Sequence, residues 1–435
     1  MMEKITLFWF RRDLRIEDNC GFYHALQGEN KVIPIFIFDE DILKKLPKKD
    51  ARVEMILLAL STIDVAMKRN RCTVGKYHGT PEAIFLKLIK QWNVDKVICN
   101  ADYEPYATER DEKIKKLLVK AGIQFETYKD QVIFEKDEVV KGDGTPYKVY
   151  TPFSRKWLEN FEENSLEFYP SEDHLDQLGS NIDTPDLTLS DLGFEPSSTA
   201  QPRYQFDDAI IDEYEATRNF PHLDQTSRLG AHLRFGTVSI RKLVNKSSSR
   251  SNNTFLKELI WREFFMQILW HFPHTQQQSF KPQYDRIVWR NNPDEFEKWC
   301  KGETGYPLVD AGMRELNETG FMHNRVRMLV GSFLCKHLLI DWRLGEAYFA
   351  EKLLDYEMSS NVGNWQWVAG CGVDAAPYFR IFNPSEQLKK FDKELKYTQK
   401  WVPNFQESDY PSPIVDHKFA RERCLSVYKE ALRAS

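Results

Sequence analysis

The first 129 residues switch hydrophobic period repeatedly, and that alternation constrains the fold more than any other feature of the chain. Short β-branched and aromatic runs have the length and composition of strands: ITLFWF from Ile5, VIPIFIFD from Val32, TVGKYH from Thr73, KVICN from Lys96 and QFETY from Gln124. Between them, ARVEMILLALSTIDVAMKRN and TPEAIFLKLIKQWN repeat apolar residues three and four apart, the period of a helix with one buried face. Strand and helix in turn predict a parallel sheet covered on both faces, because parallel strands need helix-sized crossovers. The expectation is an α/β N-terminal domain, Rossmann-like in shape, over residues 1–129. Yet no GxGxxG follows the first strand and no P-loop occurs, so this sheet lacks the usual dinucleotide fingerprint.

Two changes of character follow. Residues 130–204 contain KGDGTPYKV (141–149), whose Gly and Pro spacing predicts a hairpin turn, and continue as a long acidic connector with several prolines. This span is expected to wrap between two domains as a linker. From residue 205 strand signals nearly vanish, helical periodicity takes over, and eight of the eleven tryptophans fall between Trp261 and Trp401. An all-α C-terminal domain over residues 205–435 is expected, since 435 residues are more than one core usually encloses. So many indoles mean either a bulky core or a pocket for an aromatic cofactor, and composition leaves those two level.

The net charge of −5 looks unpromising for nucleic-acid binding, but it is unevenly placed. Residues 159–195 hold eleven Asp or Glu and no Lys or Arg, which leaves a surplus of positive charge elsewhere. Residues 228–250 are the opposite, with Arg228, Arg234, Arg241, Lys242, Lys246 and Arg250 and no acid. Such a run fits a phosphate-facing surface or a merely solvated one. Seven cysteines, scattered and without CxxC spacing, point to reduced thiols rather than disulfides or a metal site. The apolar run before Arg11 is too short for a secretion signal, and no stretch approaches about 18 uncharged apolar residues. A cytoplasmic protein without a membrane segment or a metal is expected.

Four motifs concentrate chemistry-bearing side chains. In ELIWREF, Glu258, Trp261 and Arg262 stand at i, i+3 and i+4 and share one helical face. An acid, an indole and a guanidinium converging there suit a nucleobase, although taken alone the triplet reads as a surface salt bridge beside a core tryptophan. In MHNRVRM, Asn324 and Met328 share a face while Arg327 is offset from it. TSRLG, preceded by Tyr214 and Arg218, offers the hydroxyls of Thr226 and Ser227, a basic Arg228 and a permissive Gly230. Such a loop can donate several hydrogen bonds to phosphate oxygens, or its hydroxyls can cap a helix. Trp365 and Trp367 lie two residues apart, about 200° around a helix at roughly 100° per residue, and so address different neighbours. Such an arrangement suits a helix wedged between two planar ligands, one indole addressing each, while core packing is the plain reading of such a pair.

Taken together, FWFRRDLRIEDN (8–19), TSRLGAHLRFG (226–236), ELIWREF (258–264), GYPLVDAGMREL (305–316), MHNRVRM (322–328) and the stretch from Asp355 to Pro384 resemble the photolyase and cryptochrome family over nearly the whole chain. The form is closest to the bacterial class I cyclobutane pyrimidine dimer photolyases. The resemblance implies a C-terminal domain that binds FAD, active as its reduced anion, and a substrate of ultraviolet-damaged DNA repaired in light. It implies cofactor contacts from Tyr214, Thr226, Ser227, Arg228, Leu229, Gly230, Phe255, Arg262, Arg327, Asp355, Tyr356, Glu357 and Asn361. Arg218, Glu258, Trp261, Asn324, Met328 and Trp367 would meet the lesion, with Glu258 helping to manage proton and charge movement. Trp289, Trp342 and Trp365 match the family's electron-hopping chain from surface to flavin, while Trp270 and Trp299 are left as core.

Further implications separate neighbouring activities. Photolyases for the six-four photoproduct characteristically place His in the region of Met328, which argues against that activity, and many plant cryptochromes place Asp where Asn361 stands. The alternative is a cryptochrome-type blue-light photoreceptor, which often carries a long C-terminal extension. Here thirty residues follow Phe405, without a low-complexity tail. A dark flavin oxidoreductase would need a nicotinamide site that no motif supplies. The N-terminal domain of the family holds a second, antenna chromophore, of folate or deazaflavin type. Asn100, Asp102, Tyr103 and Glu104 follow the fourth strand, where ligands of open sheets commonly sit, and both types stay open. Arg11, Arg12 and Asp13 are expected to anchor packing, and the protein is expected to act as a monomer.

Overall fold

A computed structural model describes residues 3–433; the two residues at each end, which close the 1–129 and 205–435 spans, lie outside the described residues. All five expected strands form. β1 (Ile5–Phe10), β2 (Lys31–Asp39), β3 (Gly75–Gly79), β4 (Val94–Asn100) and β5 (Gln124–Tyr128) make one parallel sheet in the order β3-β2-β1-β4-β5. The central β1 is buried along its whole length, which is why ITLFWF reads as an unbroken apolar run rather than an alternating one. The helices Cys20–Leu26, Ala51–Met67 and Pro81–Gln91 begin where Asn19, Asp50 and Thr80 accept a freed backbone N–H. Among the described residues no strand follows Tyr128; the elements beyond it are helical, and a tight antiparallel bridge joins Val140 to Pro146 where the hairpin turn is expected.

Strand order reverses between β1 and β4, the place where open sheets commonly leave a ligand crevice. Here local side chains are committed to one another. Asn100 donates to Asp13 at 2.6 Å and to Asn19 at 2.7 Å, and Asp102 and Glu104 each meet Arg12 at 3.1 Å. The Tyr103 hydroxyl donates to Glu135 at 2.7 Å. The guanidinium groups of Arg11 and Arg110 each stand 4.9 Å from the Trp9 ring centroid. The four residues read as antenna contacts therefore lock the end of the sheet, and Arg11, Arg12 and Asp13 share that work.

The chain forms two compact units that interleave in sequence. One takes the chain up to Glu138, then Leu158–Pro202 and Gly230–Ser249; the other takes Val139–Trp157, Arg203–Leu229 and the chain from Arg250 on. The span read as a linker is thus divided, and Val139–Trp157 belongs to the helical unit. There the Trp157 indole donates to Glu263 at 2.6 Å, with both side chains buried.

The basic run over residues 228–250 is not a free phosphate-facing surface. Arg241 is buried and pairs with Asp18 at 2.9 Å and Asp130 at 2.8 Å. Arg234 pairs with Glu104, Lys242 with Glu17, Arg228 with Asp224, and Arg250 with Asp208 and Asp212. A guanidinium taken out of water needs a counter-charge, and acids remote in sequence provide it. No described helix is long and apolar enough to cross a membrane.

Candidate functional site

The helical unit has an apolar core to which Trp299, Trp342, Trp365 and Tyr428 contribute. Glycines let its helices close. A methyl on Gly363 would stand 2.3 Å from Phe265, and one on Gly331 would stand 3.1 Å from Val368. Where the helices Asn324–Ser332, Trp342–Lys352 and Met358–Ala369 meet, a cleft of about 100 Å³ opens. Asn324, Arg327, Met328, Asp355, Tyr356, Glu357, Asn361, Trp365 and Trp367 all line it.

The two indoles of the Met358–Ala369 helix have different surroundings, as their spacing predicts, yet both border this one cleft. Trp365 is buried edge-on against Phe349 (centroids 5.0 Å apart) and Trp299 (6.2 Å), whereas Trp367 is half-buried. Arg327 grips Asp355 through both Nη atoms, at 3.2 and 2.9 Å, and its Nε donates to the Met322 carbonyl at 2.7 Å. Arg262 reaches across from the Thr254–His271 helix to Glu357 at 3.2 Å. The Asn361 amide donates to Glu346 Oε1 at 2.9 Å, and burial pushes the Glu346 carboxyl above its ordinary pKa.

Glu258 and Trp261 stand outside the cleft lining. Glu258 is hydrogen-bonded by Arg218; burial pushes its pKa up more strongly than the Arg218 charge pulls it down. Trp261 lies flat against Tyr150, with centroids 3.6 Å apart and planes at 7°. Tyr150 is pinned by its hydroxyl to the Lys257 carbonyl and by its N–H to Asp374. From Arg218 the contacts lead back to the cleft: Arg325 donates to Asn219 and brings Nη1 within 3.6 Å of the Met328 sulfur. Burial, and then the charges of Arg218 and Arg380, lower the Arg325 pKa, so three guanidinium groups gather here. Sequence reasoning passed over Arg325 and Arg380, though Arg325 follows Asn324 directly in MHNRVRM.

Other expected residues lie apart from the lining. Tyr214 packs edge-on against Phe255 at 5.1 Å, and the Ser227 carbonyl accepts from the Gln205 N–H at 2.9 Å. Arg228 pairs with Asp224 and lies 4.4 Å over the Phe321 ring; Leu229 is buried, and Gly230 opens the helix Gly230–Phe235. Trp342 is one turn from Gly345 on the Trp342–Lys352 helix, and Trp289 is half-buried beside Tyr428. Backbone donors tie the last two tryptophan segments together, Arg290 N–H to the Leu339 carbonyl at 2.7 Å and Asp341 N–H to Asn291 at 2.8 Å.

Thr226 Oγ1, Ser359 Oγ and His323 Nε2 are buried without a hydrogen-bond partner. An unmet buried group costs about 1–3 kcal/mol, which a polar ligand would relieve. The Arg327 guanidinium, the Asn361 amide and the walls given by Trp365 and Trp367 suit a cofactor that is aromatic in one part and anionic in another; FAD fits that description. Residues 6–171 match the family model for DNA photolyase, and residues 255–408 match that for the FAD binding domain of DNA photolyase. The chain belongs to the DNA photolyase family, and its helical unit carries the family's FAD-binding domain. A deoxyribodipyrimidine photo-lyase of Halobacterium salinarum is 34% identical, the match covering 98% of this chain and 99% of that one. The crystal structure of a class III photolyase from Agrobacterium tumefaciens superposes with a TM-score of 0.89 at 33% identity, covering 100% of this chain and 99% of its own. An archaeal photolyase from Sulfolobus tokodaii, crystallised with two FAD molecules, has a TM-score of 0.84 at 32% identity, with 98% and 99% of the two chains covered.

Proposed function

We propose that this chain is a light-driven deoxyribodipyrimidine photo-lyase that splits cyclobutane pyrimidine dimers in damaged DNA, with catalysis in the helical unit and an antenna-type role for the unit that carries the sheet. The observation that carries this reading is one cleft that sets Asn361 and Trp365 beside Asn324, Met328 and Trp367. FAD held there in its reduced form would supply the photoexcited electron for ring opening, chemistry with no net oxidation. The protein's own work is placement. Arg262 with Glu357 and Arg327 with Asp355 would fix charge around the cofactor, Tyr214, Phe255 and Tyr356 would pack against it, and the Thr226–Gly230 loop would donate to its phosphates.

On the substrate side, Trp367, Met328 and Asn324 receive the extruded dimer, which pairs poorly and so leaves the stack at reduced cost. Glu258 and Trp261 meet the base edges, with Arg218 holding the carboxylate. Arg218, Arg325 and Arg380 supply the positive charge for the DNA backbone, in place of the 228–250 run. Trp289, Trp342 and Trp365 pass electrons inward from solution. Asn361, Met328 and Glu258 favour repair over the cryptochrome-type reading. A second chromophore of folate or deazaflavin type belongs to the proposal, as does a monomer in the cytoplasm, where seven free cysteines would stay reduced.

Reduced, FAD-loaded protein illuminated with a dimer-containing oligonucleotide should restore thymine absorbance, and a dark control should not. Light without recovery, while FAD stays bound, would overturn the reading.

A further inference from the structure

Trp342 is 1% exposed and its indole N–H has no hydrogen-bond partner. The Arg343 guanidinium stands over its ring, 4.7 Å from the centroid. That cation is held from three sides. Nε donates to the Gln277 carbonyl at 2.6 Å, Nη2 to Asp285 at 2.6 Å, and Nη1 to both oxygens of Asp341 at 3.2 Å. Asp341 caps the Trp342–Lys352 helix, and Asp285 accepts from the Ser279 hydroxyl at 2.8 Å. Burial opposes the charge on Asp285, but hydrogen bonds from Ser279 and Arg343 outweigh it and hold the carboxyl below its ordinary pKa. Asp285 is therefore ionised at neutral pH.

We propose that Arg343 is a positioning residue that keeps an electron deficit from resting on Trp342, so that it passes on to Trp289. This rests on the relay reading of Trp365, Trp342 and Trp289 given above. A cation over a neutral indole is attracted by the ring's quadrupole. Once the ring has lost an electron, the same contact is a repulsion between like charges. The steps balance without bond cleavage: oxidised Trp365 takes one electron from Trp342, and oxidised Trp342 takes one from Trp289. The proton stays on Trp342 Nε1, which has no acceptor to receive it. Half-buried Trp289 is then re-reduced by a solution thiol. Without Arg343, the carboxylates of Asp285 and Asp341 would stand uncompensated beside the ring and hold the deficit there.

The test is flash photolysis of the FAD-loaded protein in a Trp289→Phe background, where the deficit ends on Trp342 and its optical lifetime is read directly. R343Q should lengthen that lifetime about tenfold, the scale of one partly screened charge at contact distance. Arg343→Lys should bring it back towards the parent. Asp285→Asn should shorten it, because the guanidinium is then under-compensated. General loosening of this network would move R343Q and D285N in the same direction; that result, or no change in either, overturns the proposal while the relay stands. With Trp289 restored, Trp342→Phe should abolish oxidation of Trp289. If Trp289 is still oxidised in that variant, the relay reading fails, and the role of Arg343 with it.

Discussion

A methyl group on Gly345 would stand 2.2 Å from the ring of Trp365. This approach lets the helices Trp342–Lys352 and Met358–Ala369 close and fixes the indole at the cleft wall. Gly345→Ala should force the ring to shift, destabilising the protein by about 1–3 kcal/mol through overpacking. Alanine's better helix propensity, worth about 1 kcal/mol, offsets only part of that. Urea unfolding measures the loss, and FAD retention on gel filtration should fall with it. Parental stability together with full retention would show that Trp365 is not held by this contact.

Much of this arrangement is legible before any coordinates. The strands announce themselves because β1 and β2 are buried almost throughout and run apolar without interruption. Asn324 with Met328, and Trp365 against Trp367, are legible because helical spacing alone decides which side chains share a face. Pairings between distant segments leave no such trace. Nothing local to Arg234 or Arg241 reveals Glu104 or Asp130 as their partners, so a neutralised run reads as a basic surface. Tyr150 and Trp157 are hidden in the same way, inside a span whose prolines and acids look like a linker, while their rings serve Trp261 and Glu263.

His323 should make stability fall in mild acid. Its Nδ1 accepts from the Arg325 N–H at the start of the helix Asn324–Ser332. Burial first, then the charges of Arg327 and Arg325, lower its pKa from 6.5 to about 4. Between those values the unfolded chain takes up a proton that the native state refuses. The contribution is therefore complete above about pH 6.5 and is lost towards pH 4, amounting to about 3 kcal/mol. His323→Asn keeps a capping acceptor without the titration, so its urea midpoint should depend less on pH across this window. An unchanged slope would remove His323 as the cause.

DNA binding should depend on Arg325 and Arg380 rather than on the 228–250 run. Arg325→Gln and Arg380→Gln should each weaken damaged and undamaged DNA alike, and each should lower the slope of log affinity against log salt by about one. Arg234→Gln should leave that slope alone, since its partner is Glu104. Fluorescence anisotropy across a salt series would decide; a slope that responds to Arg234 instead would return the interface to the basic run.

Trp365 and Glu258 should come apart cleanly, because they stand on different helices and only Trp365 lines the cleft. Trp365→Phe removes the inner member of the relay but leaves Asn324, Met328 and Trp367 in place. Light-driven reduction of the bound flavin should cease, while chemically reduced protein should still repair. Glu258→Ala leaves the relay intact and removes the carboxylate that Arg218 holds. FAD content and photoreduction should be unchanged, while repair yield on dimer-containing DNA falls, by about tenfold if one charged hydrogen bond to the base is lost. Absorbance of the flavin and of restored thymine, followed in the same samples, reads both functions. If Glu258→Ala repairs as well as the parent, the base-edge role fails, and Glu258 is left as the counter-charge that keeps Arg218 in place.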